Sequence, residues 1–333
     1  MIKVGIAGFG KIGQIRAQEI QKNPHAKLVA IYDVIETECS DKNVVFCNSF
    51  ESLLEQNLDA IFICTYNNVL ANYTILALKK GVHVFCEKPP ARTLQELKEV
   101  EEVFQKNINL VLKYGFNHRY HYSIMKAKEI IESGELGKIM WMRGVYGKAG
   151  SIDFNKNWRN YKKYSGGGIL IDQGIHMLDL ILYFTQEKFT KINSLISNSF
   201  WEIESEDNAF VLMQSEKNTI AMVHSSATHW KHKFLLEIYF EKGYINLDGI
   251  LSKTNSYAPE KLIMGRKDSE DINLAMGKPN EISYYFENDD SWELEIKDFI
   301  NSIISKDKIN NGTISEAMNV LELVENVYKN SRK

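Results

Sequence analysis

Apolar residues in the first third of the chain come in short unbroken runs: Val4-Gly5-Ile6-Ala7, Leu28-Val29-Ala30-Ile31-Tyr32, Ala60-Ile61-Phe62-Ile63-Cys64, His83-Val84-Phe85-Cys86 and Asn109-Leu110-Val111-Leu112-Lys113-Tyr114. Runs of this length without polar alternation predict strands buried on both faces. Between them the pattern predicts helices over Lys11–Lys22, near Ser49–Gln56, near Ala71–Lys80 before Gly81, and from Thr93 to about Lys106. Thr93 followed by Glu96 reads as a capping box. Strand and helix in alternation imply an α/β Rossmann domain with a parallel, doubly wound sheet.

Near residue 120 the pattern changes. Ser123–Ser133 reads as a helix ended by Gly134 and Gly137, Ile139–Tyr146 as a strand, and Gly166–Phe184 as a glycine-rich turn leading into an amphipathic helix. Long alternating segments follow at Ile192–Ser197, Asp207–Glu216, Asn218–Thr228, Phe234–Glu241 and Gly243–Leu247, with a tight turn at Lys242-Gly243. Short turns make successive strands antiparallel. Trp292–Ser305 and Ile314–Lys329 read as terminal helices. The expected organisation is therefore residues 1–120 as a nucleotide-binding domain and 121–333 as an α+β domain with a large, open, mostly antiparallel sheet. The alternation leaves one face of that sheet to be covered, and a second subunit is the expected cover.

The length of 333 residues suits two domains, and 44% hydrophobic with 25% charged residues is ordinary for a globular chain. A net charge of −3 argues against a broad polyanion-binding surface, so no nucleic-acid partner is expected. It leaves room for a local basic pocket. No apolar run suggests a membrane span, and the first strand begins at the amino end, so neither a membrane partner nor a targeting segment is expected. Cys39, Cys47, Cys64 and Cys86 lack C-x-x-C spacing, and Cys64 and Cys86 lie in strand patterns; a reduced cytoplasm is expected.

The candidate chemistry begins with Gly8-Phe9-Gly10-Lys11-Ile12-Gly13, set between the first strand and first helix, and with Asp33 at the carboxyl end of the second strand. Gly8 permits the turn, Gly10 lets the backbone approach a pyrophosphate, and Gly13 lets helix and sheet pack closely. The free N–H groups at the helix start face the anion. Asp33 would accept a ribose diol and repel a 2′-phosphate, and Val34-Ile35 supply no basic substitute, which favours NAD(H) over NADP(H). Taken without this context, the glycines make only a tight turn.

Two segments carry the candidate catalysis. Lys88, in Glu87-Lys88-Pro89, ends a parallel strand at the edge where ligands of open α/β sheets bind. A lysine there can stabilise a developing alkoxide; a solvated lysine beside a turn is the plain alternative. The Lys88–Pro89 or Pro89–Pro90 bond can be cis. In the second segment, Gly166 through His176, Asp172 and His176 stand four residues apart and share a helix face. Histidine suits a general base, and the aspartate can orient the imidazole. A buried polar pair is the alternative; Asp172, His176 and Asp179 as metal ligands rank below both, so no metal is expected. Asn117, Arg119, Tyr120, Trp158, Arg159 and Tyr161 are candidate substrate-binding residues, the arginines for a phosphate or carboxylate and the aromatic faces for a sugar or base, with a packing layer as the alternative.

These residues together resemble the Gfo/Idh/MocA oxidoreductases, named for glucose–fructose oxidoreductase and inositol dehydrogenase. The resemblance rests on the glycine loop, Asp33, Gly81 through Pro89, Gly115-Phe116-Asn117-His118-Arg119 and Gly166 through His176, and runs over nearly the whole chain. It implies a Rossmann domain, dimers or tetramers built on the C-terminal sheet, and Lys88, Asp172 and His176 as the catalytic group. Cofactor contacts are expected from Gly8, Phe9, Gly10, Lys11, Ile12, Gly13, Asp33, Thr65, Asn67, Glu87 and Lys88. One departure stands out: where the family has Thr-Pro-Asn and then a histidine, this chain has Thr65-Tyr66-Asn67 and Leu70. The expected function is NAD(H)-dependent hydride transfer at a secondary alcohol or ketone of a sugar or nucleotide sugar. The alternatives are an inositol or polyol dehydrogenase, a non-catalytic NAD-binding sensor or scaffold, and net non-redox chemistry through transient oxidation.

Overall fold

The computed structural model describes residues 1–37, 39, 41–150, 154–267 and 276–331. They form two compact units: Met1–Asn117 with Lys163–Gly166 and Trp292–Glu322, and the described parts of His118–Lys162, Gly167–Ser291 and Leu323–Lys333. The expected division at residue 120 thus needs correction, because the helix Ser291–Ser305 returns to the first unit. Ile296, Phe299, Ile300 and Ile303 join the core of Val4, Ile6, Leu28, Phe62 and Phe85, and Phe299 meets both phenyl rings edge-on. Burying that apolar stripe on the sheet is what recruits the helix.

The first unit holds β1 (Ile2–Ala7), β2 (Ala26–Tyr32), β3 (Val45–Cys47), β4 (Ala60–Ile63), β5 (His83–Glu87) and β6 (Leu112–Gly115), in the order β3-β2-β1-β4-β5-β6. Every pairing is parallel, with α1 (Lys11–Lys22), α2 (Phe50–Leu54), α3 (Asn67–Lys79) and α4 (Leu94–Gln105) between strands. β3 was not predicted, although it lies in the short apolar run Val44-Val45-Phe46-Cys47. α3 starts one turn earlier than its periodicity suggests. Thr93 caps α4 by accepting the Glu96 N–H, but the Glu96 carboxylate turns back to the Arg92 N–H and guanidinium, so the reciprocal half of the capping box is not made.

The second unit is built on eight strands: β7 (Ile139–Gly147), β8 (Phe189–Ser197), β9 (Asn208–Ser215), β10 (Ile220–Ser226), β11 (Lys233–Phe240), β12 (Gly243–Asp248), β13 (Glu260–Arg266) and β14 (Glu281–Phe286). Their order is β14-β13-β12-β11-β7-β10-β9-β8. β7 and β10 pair in parallel, Trp141 opposite Ile220, and the other neighbours are antiparallel. The pattern did not predict β13 or β14: β14 is mostly exposed and β13 carries Gly265, whose bare Cα admits the Tyr244 ring. The helix Ile175–Thr185 packs on β7, where Gly144 leaves room for the Met177 thioether. On the open face Leu195, Phe210, Leu212, Ile220 and Met222 line up across β8, β9 and β10 and stay exposed. The stretch Lys162–Thr185 is long and apolar enough by composition to cross a membrane, unlike the expectation from sequence; 78% of its most apolar window is buried within the fold.

Candidate active site

In the first unit the glycine loop is built as its residue types require. Gly8 sits at φ +88° and donates its N–H to Tyr32 O at 2.7 Å; a Cβ there would lie 2.5 Å from Cys64 O. A Cβ on Gly13 would lie 2.0 Å from Gly8 O. At Gly10 a Cβ meets nothing within 4 Å, so that face of the loop is open. The Phe9 ring is buried in the core, while its N–H donates to Asp33 Oδ2 at 2.5 Å and the Ile35 N–H to Oδ1 at 3.1 Å. Lys11 and Ile12 begin α1. An open approach at Gly10, a helix N-terminus and a carboxylate beside the loop fit a dinucleotide: the N–H groups for its pyrophosphate, Asp33 for its ribose. Val34 and Ile35 are exposed and carry no charge for a 2′-phosphate.

Thr65 follows β4 at the same sheet edge. Asn67, expected at the cofactor, spends its side-chain N–H on Ser165 O at 2.8 Å, and the neighbouring Tyr66 ring lies 5.7 Å from that of Tyr164. Leu70 is fully buried in α3. Of the two residues that depart from the family pattern, Leu70 packs in the core and Tyr66 is exposed beside Tyr164. At the end of β5, Lys88 is half-buried and its bond to Pro89 is cis. The Glu87 carboxylate, also expected at the cofactor, accepts from Arg16 Nε at 2.8 Å.

The second unit holds Asp172 and His176. Leu170–Gly174 winds as a π-helix and passes directly into Ile175–Thr185; such widened turns recur at functional sites. The start is fixed by Glu206, whose carboxylate accepts the Gly168 N–H at 3.0 Å, the Leu170 N–H at 3.1 Å and the Tyr328 hydroxyl at 2.8 Å. Burial nevertheless holds Glu206 above the usual carboxylate range. The adjacent glycines are needed for this approach: a Cβ on Gly168 would lie 2.2 Å from Glu206 O, and one on Gly167 2.2 Å from the Tyr328 hydroxyl.

His176 is buried, with its ring stacked 3.7 Å from that of His118 at 18°. His118 Nε2 lies 2.9 Å from the Tyr146 hydroxyl, which burial pushes well above its ordinary pKa. Asp172 faces two cations, Arg159 Nε at 3.2 Å and Lys148 Nζ at 3.9 Å. The carboxylate expected to orient His176 thus also balances positive charge. Arg159 lies over the Trp158 ring at 4.4 Å, and Tyr161 is exposed beyond it. Asn117 and Tyr120 are buried in a short 3-10 turn. Arg119 needs correction as a substrate-anion ligand: its guanidinium is buried and pairs with both oxygens of Asp179, at 2.9 and 2.6 Å. That pair also ties up Asp179, which the metal reading required; among the described residues no group of three or more His, Cys, Asp or Glu is placed to hold a metal ion.

Sequence reasoning passed over Arg16, Lys148 and Glu206, and quoted His118 only within a motif, without a role of its own. Arg16 had a signal, a charge beside the apolar Ile15, Ala17 and Ile20 of α1. Glu206 had none, because its partners stand more than thirty residues away.

Two family models match this chain: "Oxidoreductase family, NAD-binding Rossmann fold" over residues 2–115 and "GFO/IDH/MocA C-terminal domain" over residues 124–246. The chain belongs to the GFO/IDH/MocA family and is an NAD-binding oxidoreductase. It is 28% identical over 279 residues to the uncharacterized oxidoreductase YrbE of Bacillus subtilis, covering 80% of this chain and 79% of that one. It is 28% identical to the myo-inositol 2-dehydrogenase of Thermotoga maritima, covering 76% of this chain and 77% of the relative. Levoglucosan dehydrogenase, solved with NADH and levoglucosan, superposes with a TM-score of 0.86 at 19% identity, covering 99% of this chain and 97% of that one, a likeness of fold.

Proposed function

We propose that this chain oxidises a secondary hydroxyl of a sugar or cyclic polyol with NAD, and reduces the matching ketone in the reverse direction. One observation carries the reading: a glycine loop with a carboxylate beside it occurs in the same chain as a buried imidazole in the first turn of an α-helix that continues a widened helical turn. When bound, the nicotinamide supplies the acceptor for the hydride that leaves the carbinol carbon. His176 takes the hydroxyl proton during oxidation and returns it during reduction. Lys88 is assigned to stabilise negative charge as it develops on a substrate oxygen. Asp172, four residues before His176, steadies the imidazolium, while Arg159 at 3.2 Å and Lys148 at 3.9 Å hold that carboxylate in place.

The side-chain charges favour an uncharged substrate. Arg119 is matched by Asp179, and Arg159 by Asp172, so the two arginines expected to hold a phosphate already face carboxylates. Relatives named for myo-inositol and levoglucosan support the same choice over a nucleotide sugar. A second copy of the chain is the proposed cover for the apolar row on the open sheet face.

The test is NADH formation at 340 nm with myo-inositol, levoglucosan, glucose 6-phosphate and UDP-glucose. Turnover on the uncharged rings, exceeding that on the phosphorylated ones, supports the reading. Turnover confined to UDP-glucose overturns the substrate class, and NADH binding without turnover on any alcohol overturns the assignment as a dehydrogenase of sugars and polyols.

A further inference from the structure

We propose that Arg16 is a positioning residue that, through Glu87, locks the catalytic lysine's strand end to the helix carrying the pyrophosphate loop. The proposal rests on the assignment of Lys88 to catalysis. Arg16 is fully buried on α1, three residues beyond Gly13. Its Nε donates to Glu87 Oε1 at 2.8 Å, and its Nη2 reaches Glu295 Oε2 at 2.6 Å and Glu87 Oε1 at 2.7 Å. The guanidinium lies over two aromatic rings, Phe85 at 4.4 Å and Trp292 at 4.5 Å. One side chain thereby holds α1, the end of β5 and the helix Ser291–Ser305 at fixed spacing.

A buried ion pair of this kind is a poor device for stability, because desolvation offsets the attraction and an apolar side chain of similar volume packs at lower cost. It is a good device for geometry: a planar fork with fixed donor directions permits one arrangement of its acceptors. The arrangement it permits here concerns the two parts of the unit that the chemistry uses. α1 begins at the glycine loop, and Glu87 is the covalent neighbour of Lys88. The surroundings are shaped for the pair. At Gly115, where β6 ends, a Cβ would lie 3.1 Å from Glu87 Oε2 and 3.2 Å from Arg16 Nη2. Two carboxylates compete for one guanidinium. Burial outweighs its attraction at Glu295, which is pushed up to about 7, while Arg16 is held even more firmly in its charged form. Lys113 and the Asp298 it contacts at 2.8 Å complete the charges around this cluster.

The experiment uses the full chain with Arg16→Met, Arg16→Lys and Glu295→Gln. It measures melting temperature, NADH affinity by fluorescence titration, and kcat on the uncharged sugar or polyol that the wild type turns over. The Lys88 environment is read by NMR of reductively ¹³C-methylated lysines, its signal assigned by its loss in Lys88→Arg. Arg16→Met is expected to move the Lys88 signal and lower kcat at least tenfold while NADH affinity changes less than threefold. Arg16→Lys restores part of both, and Glu295→Gln leaves the Lys88 signal unmoved and kcat within threefold of wild type. A lowered melting temperature in Arg16→Met with an unmoved Lys88 signal and normal kcat overturns the proposal, leaving Arg16 a packing residue. If Arg16→Met does not fold, an unmoved signal in a folded Arg16→Lys with wild-type kcat has the same meaning. Full turnover by Lys88→Arg instead sinks the assignment of Lys88 beneath it, a separate outcome.

Discussion

One added methyl group, placed at either of two glycines in the same loop, separates what the loop does for the fold from what it does for a ligand. At Gly13 the new carbon would lie 2.0 Å from Gly8 O and 3.0 Å from Gly8 C, both backbone atoms that cannot swing aside. Ordinary contact needs about 3.5 Å, so α1 must move by more than an ångström from β1. Overpacking of this kind costs about 1–3 kcal/mol, which in a chain of this size lowers the melting temperature by roughly 2–10 °C. At Gly10 the backbone is extended, φ −68° and ψ −164°, which any residue adopts, and the methyl enters open space. Gly10→Ala should therefore melt within about 1 °C of wild type, as surface changes away from special features do. The same methyl stands where a pyrophosphate must approach the loop N–H groups. Losing one charge-assisted hydrogen bond costs about 1.5–3 kcal/mol, so NADH affinity should fall about ten- to a hundredfold. Differential scanning fluorimetry and NADH fluorescence titration on the two variants measure both quantities. A Gly10→Ala protein that binds NADH like wild type refutes the loop as the cofactor site. A Gly13→Ala protein with an unchanged melting temperature refutes the packing argument.

Three further outcomes follow from the charges. Glu295, raised by burial from 4.5 to about 7, favours the fold most below pH 4.5 and loses that contribution as pH rises through about 7; the span is worth about 3 kcal/mol. Wild-type stability should decline across pH 5 to 8 by more than that of Glu295→Gln, and parallel profiles would contradict the burial argument. Asp179→Asn leaves the buried Arg119 guanidinium without its countercharge and should cost about 3–5 kcal/mol in urea unfolding, with the Arg119→Met/Asp179→Leu double variant losing less; an Asp179→Asn loss under about 1 kcal/mol would place that pair outside the core. Asp33→Ser removes the carboxylate that faces the Phe9 N–H and the proposed ribose, and should shift the NADH-to-NADPH affinity ratio by at least about tenfold toward NADPH; an unchanged ratio would mean that Asp33 does not select the cofactor.

What could be read from sequence was local. The βαβ unit at the amino end is specified by residues within one stretch of chain, so strand, glycine loop, helix and Asp33 all appear in the pattern and in the structure. The segment from Gly166 to His176 was legible as a glycine turn entering a helix, but not its π-helical winding. Gly167 and Gly168 are demanded by Tyr328 and Glu206, which arrive from remote parts of the chain. Arg119 was read as a ligand for a substrate anion and Arg16 drew no reading, because each has carboxylate partners brought to it by the fold rather than by spacing. The return of Ser291–Ser305 to the first sheet was invisible for the same reason: an apolar stripe shows that a helix is covered, and does not name the cover.

The most direct test of the account is the turnover of His176→Asn on an uncharged sugar or polyol that the wild type oxidises, measured beside its affinity for NADH. Asparagine keeps a polar side chain at the position and removes the base. The account predicts a loss of at least about a hundredfold in kcat, in the range that general-base catalysis supplies, with NADH affinity within threefold of wild type. A variant that binds NADH normally and keeps most of its turnover would contradict it.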